Sequence, residues 1–88
     1  MSSNNIWIIF LYVLKSVNHK KSYTGITNNL KRRLKEHNFG KHFYTKRFIP
    51  WIMIYNEKYD NLKEARRREK YLKSASGRKL LKRIFNKN

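Results

Sequence analysis

The fold of the chain turns on Tyr12-Val13-Leu14-Lys15-Ser16-Val17-Asn18-His19-Lys20-Lys21-Ser22-Tyr23-Thr24-Gly25, which runs on into Ile26-Thr27-Asn28-Asn29-Leu30-Lys31-Arg32-Arg33-Leu34-Lys35-Glu36-His37. Residues 6–15 and 21–27 are rich in apolar and β-branched side chains, and the tip Val17-Asn18-His19-Lys20 separates them. This spacing predicts a hairpin of two strands. So short a connection implies antiparallel pairing, which sets Tyr12 near Tyr23 if both side chains leave the same face.

After the hairpin, Thr27, Asn28 and Asn29 offer capping side chains, and Leu30, Leu34 and His37 recur at helical spacing. An amphipathic helix over 30–37 follows, and Gly40 is available to end it in a left-handed conformation. Lys31, Arg32 and Lys35 fall on its wetter side, whereas Arg33 lies beside the edge formed by Leu30 and His37.

Working outward, Ile6 to Leu14 is a continuous apolar run too short to span a membrane and without the basic flank of a signal peptide. It reads as a central strand covered on both faces. Residues 39–50 interleave aromatic and basic side chains, among them Phe39, Lys41, Phe43, Lys46, Arg47 and Phe48, a composition suited to stacking on and neutralising a nucleic-acid strand or to covering the sheet. Pro50 opens a third strand over 51–58, read as a second run covered on both sides. A helix over 62–73 follows, with Leu62, Ala65 and Leu72 on its inner stripe, and Glu69 falls within that same arc. A carboxylate there calls either for an ion pair with an arginine or for a bound cation. Ser74 to Gly77 reads as a break, and a last helix over 78–86 presents Leu80, Leu81, Ile84 and Phe85 inward.

The chain of 88 residues has room for one domain, with a core over 6–85. It contains no cysteine, which removes disulfides and thiolate metal sites and makes the cytoplasm the expected setting, with the nucleoid as an option within it. Twenty-two Lys and Arg against five acidic residues leave a net charge of +17, and a charge of that size points to nucleic acid as partner. The basic segments lack the broad apolar side of an interfacial helix, so a membrane surface is not the expected partner.

Nucleophilic triads and phosphate-binding loops find no support: there is no Gly-x-Ser-x-Gly turn, and Asp60 is the single aspartate. His19, His37 and His42 fit no zinc spacing. A carboxylate, tyrosines, an arginine and a histidine remain, and on a basic protein this set suits phosphodiester hydrolysis. The carboxylate can hold a hard cation that keeps its waters, the arginine can neutralise charge on phosphate, and a tyrosine or histidine can orient or deprotonate water.

These residues also carry a resemblance. Phe10-Leu11-Tyr12 stands ten residues ahead of Tyr23-Thr24-Gly25, Arg33 follows Gly25 by eight, and His37 follows Arg33 by four. With Glu69 in Glu64-Ala65-Arg66-Arg67-Arg68-Glu69-Lys70, the pattern resembles the GIY-YIG nuclease superfamily, in particular small standalone members similar to the nuclease domain of the bacterial excision-repair incision subunit. The first triplet departs from the family in carrying Phe10 and Leu11, and Ile26 stands where some relatives place a lysine.

The resemblance implies an α+β fold, a small three-stranded antiparallel sheet flanked by helices in the order ββαβαα. It implies an endonuclease acting on DNA, structured or damaged forms included, with a single Mg²⁺ or Mn²⁺ held by Glu69. Tyr12 or Tyr23 would activate water, Arg33 would stabilise the phosphorane-like charge, and His37 would assist proton transfer or contact phosphate. Gly25 would allow close approach of the substrate, and Lys31, Arg32, Lys35, Lys41, Lys46 and Arg47 would bind the strand. The alternative is a non-catalytic basic nucleic-acid-binding module with the same fold.

Overall fold

The computed structural model describes residues 8–87; Ile6 and Trp7, expected at the start of the first strand, lie outside them. Strands β1 (Ile9–Ser16), β2 (Ser22–Thr27) and β3 (Trp51–Tyr59) form one antiparallel sheet in the order β2-β1-β3. Helices α1 (Leu30–Asn38), α2 (Leu62–Leu72) and α3 (Ala75–Lys87) complete the ββαβαα order, and a 3₁₀ turn, Thr45–Phe48, lies between α1 and β3.

The position of β1 explains its unbroken apolar run. Leu11, Tyr12, Val13 and Leu14 are all buried because a central strand is covered on both faces. Leu11 and Val13 pack on Leu72 of α2 and Leu81 of α3, while Tyr12 and Leu14 pack on Trp51 with Leu30 and Leu34 of α1. The pairing of β1 with β3 slips between Val13 and Leu14, where Val13 faces Tyr55 and Leu14 faces Met53. The extra residue, Ile54, reverses the alternation, so Met53 packs on the α1 side whereas Tyr55 and Tyr59 pack on the α2–α3 side. The third strand was expected to be covered on both sides; as an edge strand it instead leaves Ile52, Asn56 and Lys58 exposed.

On the α2–α3 side, Glu57 accepts hydrogen bonds from the hydroxyls of Tyr55 and Tyr59 and from Arg68, whose Nε and Nη2 lie 3.0 and 2.9 Å from its oxygens. Burial alone would raise the Glu57 pKa, but Arg68 and the two phenols outweigh it and hold the carboxyl below its usual range. The carboxylate–arginine pair that sequence reasoning considered for Glu69 thus forms one residue away, between Glu57 and Arg68, and ties α2 to β3.

Two further readings of this half of the chain need correction. Leu62 is exposed at the first turn of α2, leaving Ala65 and Leu72 to carry the buried stripe. The expected break over 74–77 is confined to Lys73 and Ser74, and Ala75 to Gly77 form the first turn of α3, with Ser74 accepting a hydrogen bond from Gly77 N–H at 3.3 Å. Gly77 lets α3 press against the end of α2, since a Cβ there would stand 2.1 Å from Tyr71 O and 2.4 Å from Leu72 Cα. Gly→Ala inside a helix ordinarily stabilises by roughly 0.5–1 kcal/mol. Here a collision with backbone outweighs that gain, and Gly77→Ala should lower stability by about 1–3 kcal/mol. Urea denaturation checks this, with Ser76→Ala from the same turn expected to leave the midpoint unchanged.

Candidate active site

Tyr12 leaves the centre of β1 toward α1, directly across from Gly25 on β2. A Cβ at Gly25 would lie 2.7 Å from Tyr12 Oη and 3.1 Å from Tyr23 Cε2, so this buried glycine makes the space in which the phenol rests. Leu14 pairs with Tyr23, which places Tyr23 on the same face two residues from Gly25, and the two tyrosine rings lie 6.2 Å apart. The common face that hairpin spacing left open is therefore the one observed.

His37 enters from the last turn of α1 and is fully buried. Its Nε2 lies 2.9 Å from Tyr12 Oη and its Nδ1 lies 2.7 Å from Thr45 Oγ1. Burial, helped by the nearby charges of His42 and Arg33, pushes its pKa down to about 4, so the imidazole is neutral at physiological pH. The His42 ring stands 4.4 Å from it and the Tyr23 ring 5.1 Å.

Arg33, one helical turn earlier, has its Nε 3.1 Å from Glu36 Oε1, and the same carboxylate meets Arg32 and His42, each at 3.4 Å. Partial burial would raise the Glu36 pKa, but His42, Arg33, Arg32 and Lys41 together hold it below the usual carboxylate range. Glu36 is thus an ionised anchor that steadies Arg33 beside Tyr12. Burial, with Tyr23 alongside, drives the Tyr12 phenol well above its ordinary pKa, and the Arg33 guanidinium partly offsets them. Tyr12 is a protonated phenol in the free protein, hydrogen-bonded to a neutral imidazole.

Glu69, on α2, is half-buried, and its one ion pair among the described residues is with the exposed Lys73, at 3.3 Å. It lies near enough to Tyr12 for its charge to raise the phenol further. Among the described residues no three His, Cys, Asp or Glu side chains gather as a metal-binding group. A lone carboxylate with a displaceable lysine partner suits a hard cation that takes one protein oxygen and keeps most of its waters.

The basic residues picked out from sequence, Lys31, Arg32, Lys35, Lys41, Lys46 and Arg47, are all exposed on α1 and the segment after it. Phe39 and Phe43 are 81 % and 76 % exposed, and Lys46 Nζ stands 5.2 Å over the Phe43 ring. Phe48 instead packs on Trp51 and covers the sheet.

Sequence reasoning did not single out Glu36 or Thr45, and it set His42 aside with the zinc question. The last two sit in an irregular segment where no periodicity says which way a side chain points. The one signal available was the interleaving of polar and aromatic residues between α1 and β3.

The model of the GIY-YIG catalytic domain matches residues 8–83. This chain belongs to the GIY-YIG family. Among its GIY-YIG relatives, the UPF0213 protein CPE1444 of Clostridium perfringens is 38 % identical over 80 residues, covering 90 % of this chain and 85 % of the relative. The UPF0213 protein SH2523 of Staphylococcus haemolyticus is 37 % identical over 76 residues, covering 85 % and 92 %. The solution NMR structure of the UPF0213 protein BH0048 from Bacillus halodurans matches with a TM-score of 0.53 and 28 % identity, over 88 % of this chain and 84 % of that one. GIY-YIG domains are endonuclease domains, so the class of substrate is nucleic acid. No helix among the described residues is long and apolar enough to cross a membrane.

Proposed function

We propose that this GIY-YIG protein is a divalent-cation-dependent endonuclease that hydrolyses phosphodiester bonds in DNA, structured or damaged DNA included, with Tyr12 as the base. The observation that carries this reading is the buried contact of 2.9 Å between Tyr12 Oη and the neutral His37 Nε2, with Arg33 alongside. Tyr23 offers ring contacts to Tyr12, His37 and Tyr44, and among the described residues its hydroxyl has no hydrogen bond that could carry its proton away.

In the reaction, Tyr12 Oη takes a proton from the attacking water while its own proton passes to His37 Nε2. The water oxygen bonds to phosphorus and the bond from phosphorus to the leaving deoxyribose oxygen breaks, that oxygen then being protonated from solvent. A low pKa keeps His37 an acceptor at neutral pH, and the negative charge of a bound phosphate raises it, favouring the transfer in the complex. Arg33, held by Glu36, neutralises charge building on the phosphate oxygens. Glu69 is the residue to hold Mg²⁺ or Mn²⁺, which would supply Lewis-acid stabilisation of that same charge. The exposed lysines and arginines of residues 31–47 grip the strand on either side.

The test incubates supercoiled, linear and branched DNA, and RNA, with the protein in Mg²⁺ or Mn²⁺ and in a chelator. Cleavage is expected only with the cation, and Arg33→Ala should reduce it by about 10²–10³-fold. Binding without cleavage of any substrate by the wild type would favour the non-catalytic module. Cleavage equal in the wild type and Arg33→Ala would remove the arginine from this scheme.

A further inference from the structure

Resting on the reading of His37 as the acceptor of the Tyr12 proton, we infer that Thr45 is a positioning residue that sets the His37 tautomer. A neutral imidazole carries one N–H donor and one bare acceptor nitrogen, and only the form protonated on Nδ1 leaves Nε2 free to accept. Thr45 Oγ1, 2.7 Å from Nδ1, is the group that can receive that proton's hydrogen bond. Arg33 is a fixed cation close enough for its charge to act on Tyr12, and a guanidinium cannot accept, so the phenol hydrogen points away from it and toward His37 Nε2, 2.9 Å away. The line then runs in one direction: Tyr12 O–H donates to Nε2, and Nδ1–H donates to Thr45.

The structure holds Thr45 in place without help from its hydroxyl. Trp51 Nε1 donates to the Thr45 carbonyl at 2.8 Å. Trp51 is itself tied to Asn38, the neighbour of His37, by bonds of 2.7 Å from its N–H to Oδ1 and 3.0 Å from Nδ2 to its carbonyl. These contacts close a ring from His37 through Asn38, Trp51 and Thr45 back to the imidazole. Every member but Asn38 is fully buried or nearly so, and none of the anchoring bonds uses Thr45 Oγ1. Exchanging the hydroxyl for a methyl group therefore leaves the scaffold standing and strips Nδ1 of its partner. A buried N–H without an acceptor is costly, so the imidazole moves its proton to Nε2, which can then no longer accept from Tyr12.

The experiment reads ¹⁵N NMR of the His37 ring nitrogens in the folded protein, together with single-turnover cleavage. Wild type and Thr45→Ser should show the Nδ1–H tautomer. Thr45→Val, of nearly the same shape, should show Nε2–H and cleave about 10–100-fold more slowly, as expected when the partner orienting a functional histidine is lost, with affinity for DNA unchanged. An Nε2–H tautomer in the wild type overturns the inference before any variant is made. So does Thr45→Val with the wild-type tautomer and the wild-type rate. If the tautomer moves as expected while the wild type cuts nothing, Thr45 keeps its role toward His37 and the nuclease reading fails.

Discussion

Tyr12→Phe is expected to cleave DNA about 10²–10⁴-fold more slowly than the wild type, the range for loss of a positioned proton-transfer group, and to bind it as tightly. Phenylalanine keeps the ring over Gly25 and its packing on Leu14 and Trp51, so no cavity opens in this buried cluster. What is lost is the oxygen 2.9 Å from His37 Nε2. The orphaned nitrogen costs about 1–3 kcal/mol of stability, which a denaturation curve separates from the catalytic effect. Tyr23→Phe removes a hydroxyl that has no proton acceptor among the described residues and should cost far less. A slow Tyr23→Phe beside a fast Tyr12→Phe would reverse the assignment of the base.

The pH dependence adds a second check on Tyr12. His37 serves as acceptor only while neutral, and its pKa in the free protein is about 4, below the ordinary 6.5. A bound phosphate raises it, so wild-type cleavage should fall as pH drops between about 6.5 and about 4, and Tyr12→Phe should lack that acid limb. The unfolded chain binds this proton first on acidification, so stability is also lost as pH falls through the same window.

Glu69→Gln is expected to abolish cation-stimulated cleavage, a loss of about 10²–10³-fold or more, and to bind DNA in chelator at least as tightly as the wild type. The sign of the binding effect distinguishes a metal ligand from a structural residue. Glu69 is half-buried beside the exposed Lys73, so removing its charge exposes no hidden partner and takes one negative charge away from the path of the phosphate. Titration of cleavage with Mn²⁺ should show saturation in the wild type and none in the variant. A Glu69→Gln protein that unfolds easily, or that cuts with the wild-type cation dependence, would mean that the carboxylate is structural. The tie between α2 and β3 is already made by the half-buried Glu57–Arg68 pair, without Glu69.

Much of the fold was legible because it depends on local chemistry. The tip at Val17 to Lys20 forces antiparallel pairing, Asn29 caps α1 by accepting from Arg32 N–H, and Asn61 caps α2 by accepting from Glu64 N–H. The errors lie where one residue's meaning depends on a distant partner. Gly77 looked like a helix breaker because its contact with Leu72 is invisible in composition. β3 looked doubly covered because nothing in its run of apolar residues announces that it lies at the edge of the sheet.

The site divides in the same way. Tyr12, Tyr23, Arg33 and His37 lie on three consecutive elements, β1, β2 and α1, and alternation in a hairpin and the turn of a helix suffice to bring them to one face. By itself, then, the sequence determined a basic ββαβαα chain and the identities of its candidate reactive groups. Only the tertiary structure decided that Tyr12 and not Tyr23 shares a hydrogen bond with His37, that the imidazole is buried and neutral, and that Thr45 and Glu36 hold it and Arg33 in place. The reason is physical: protonation and hydrogen-bond direction follow from burial and from neighbours brought together by folding, and neither is a property of any residue alone.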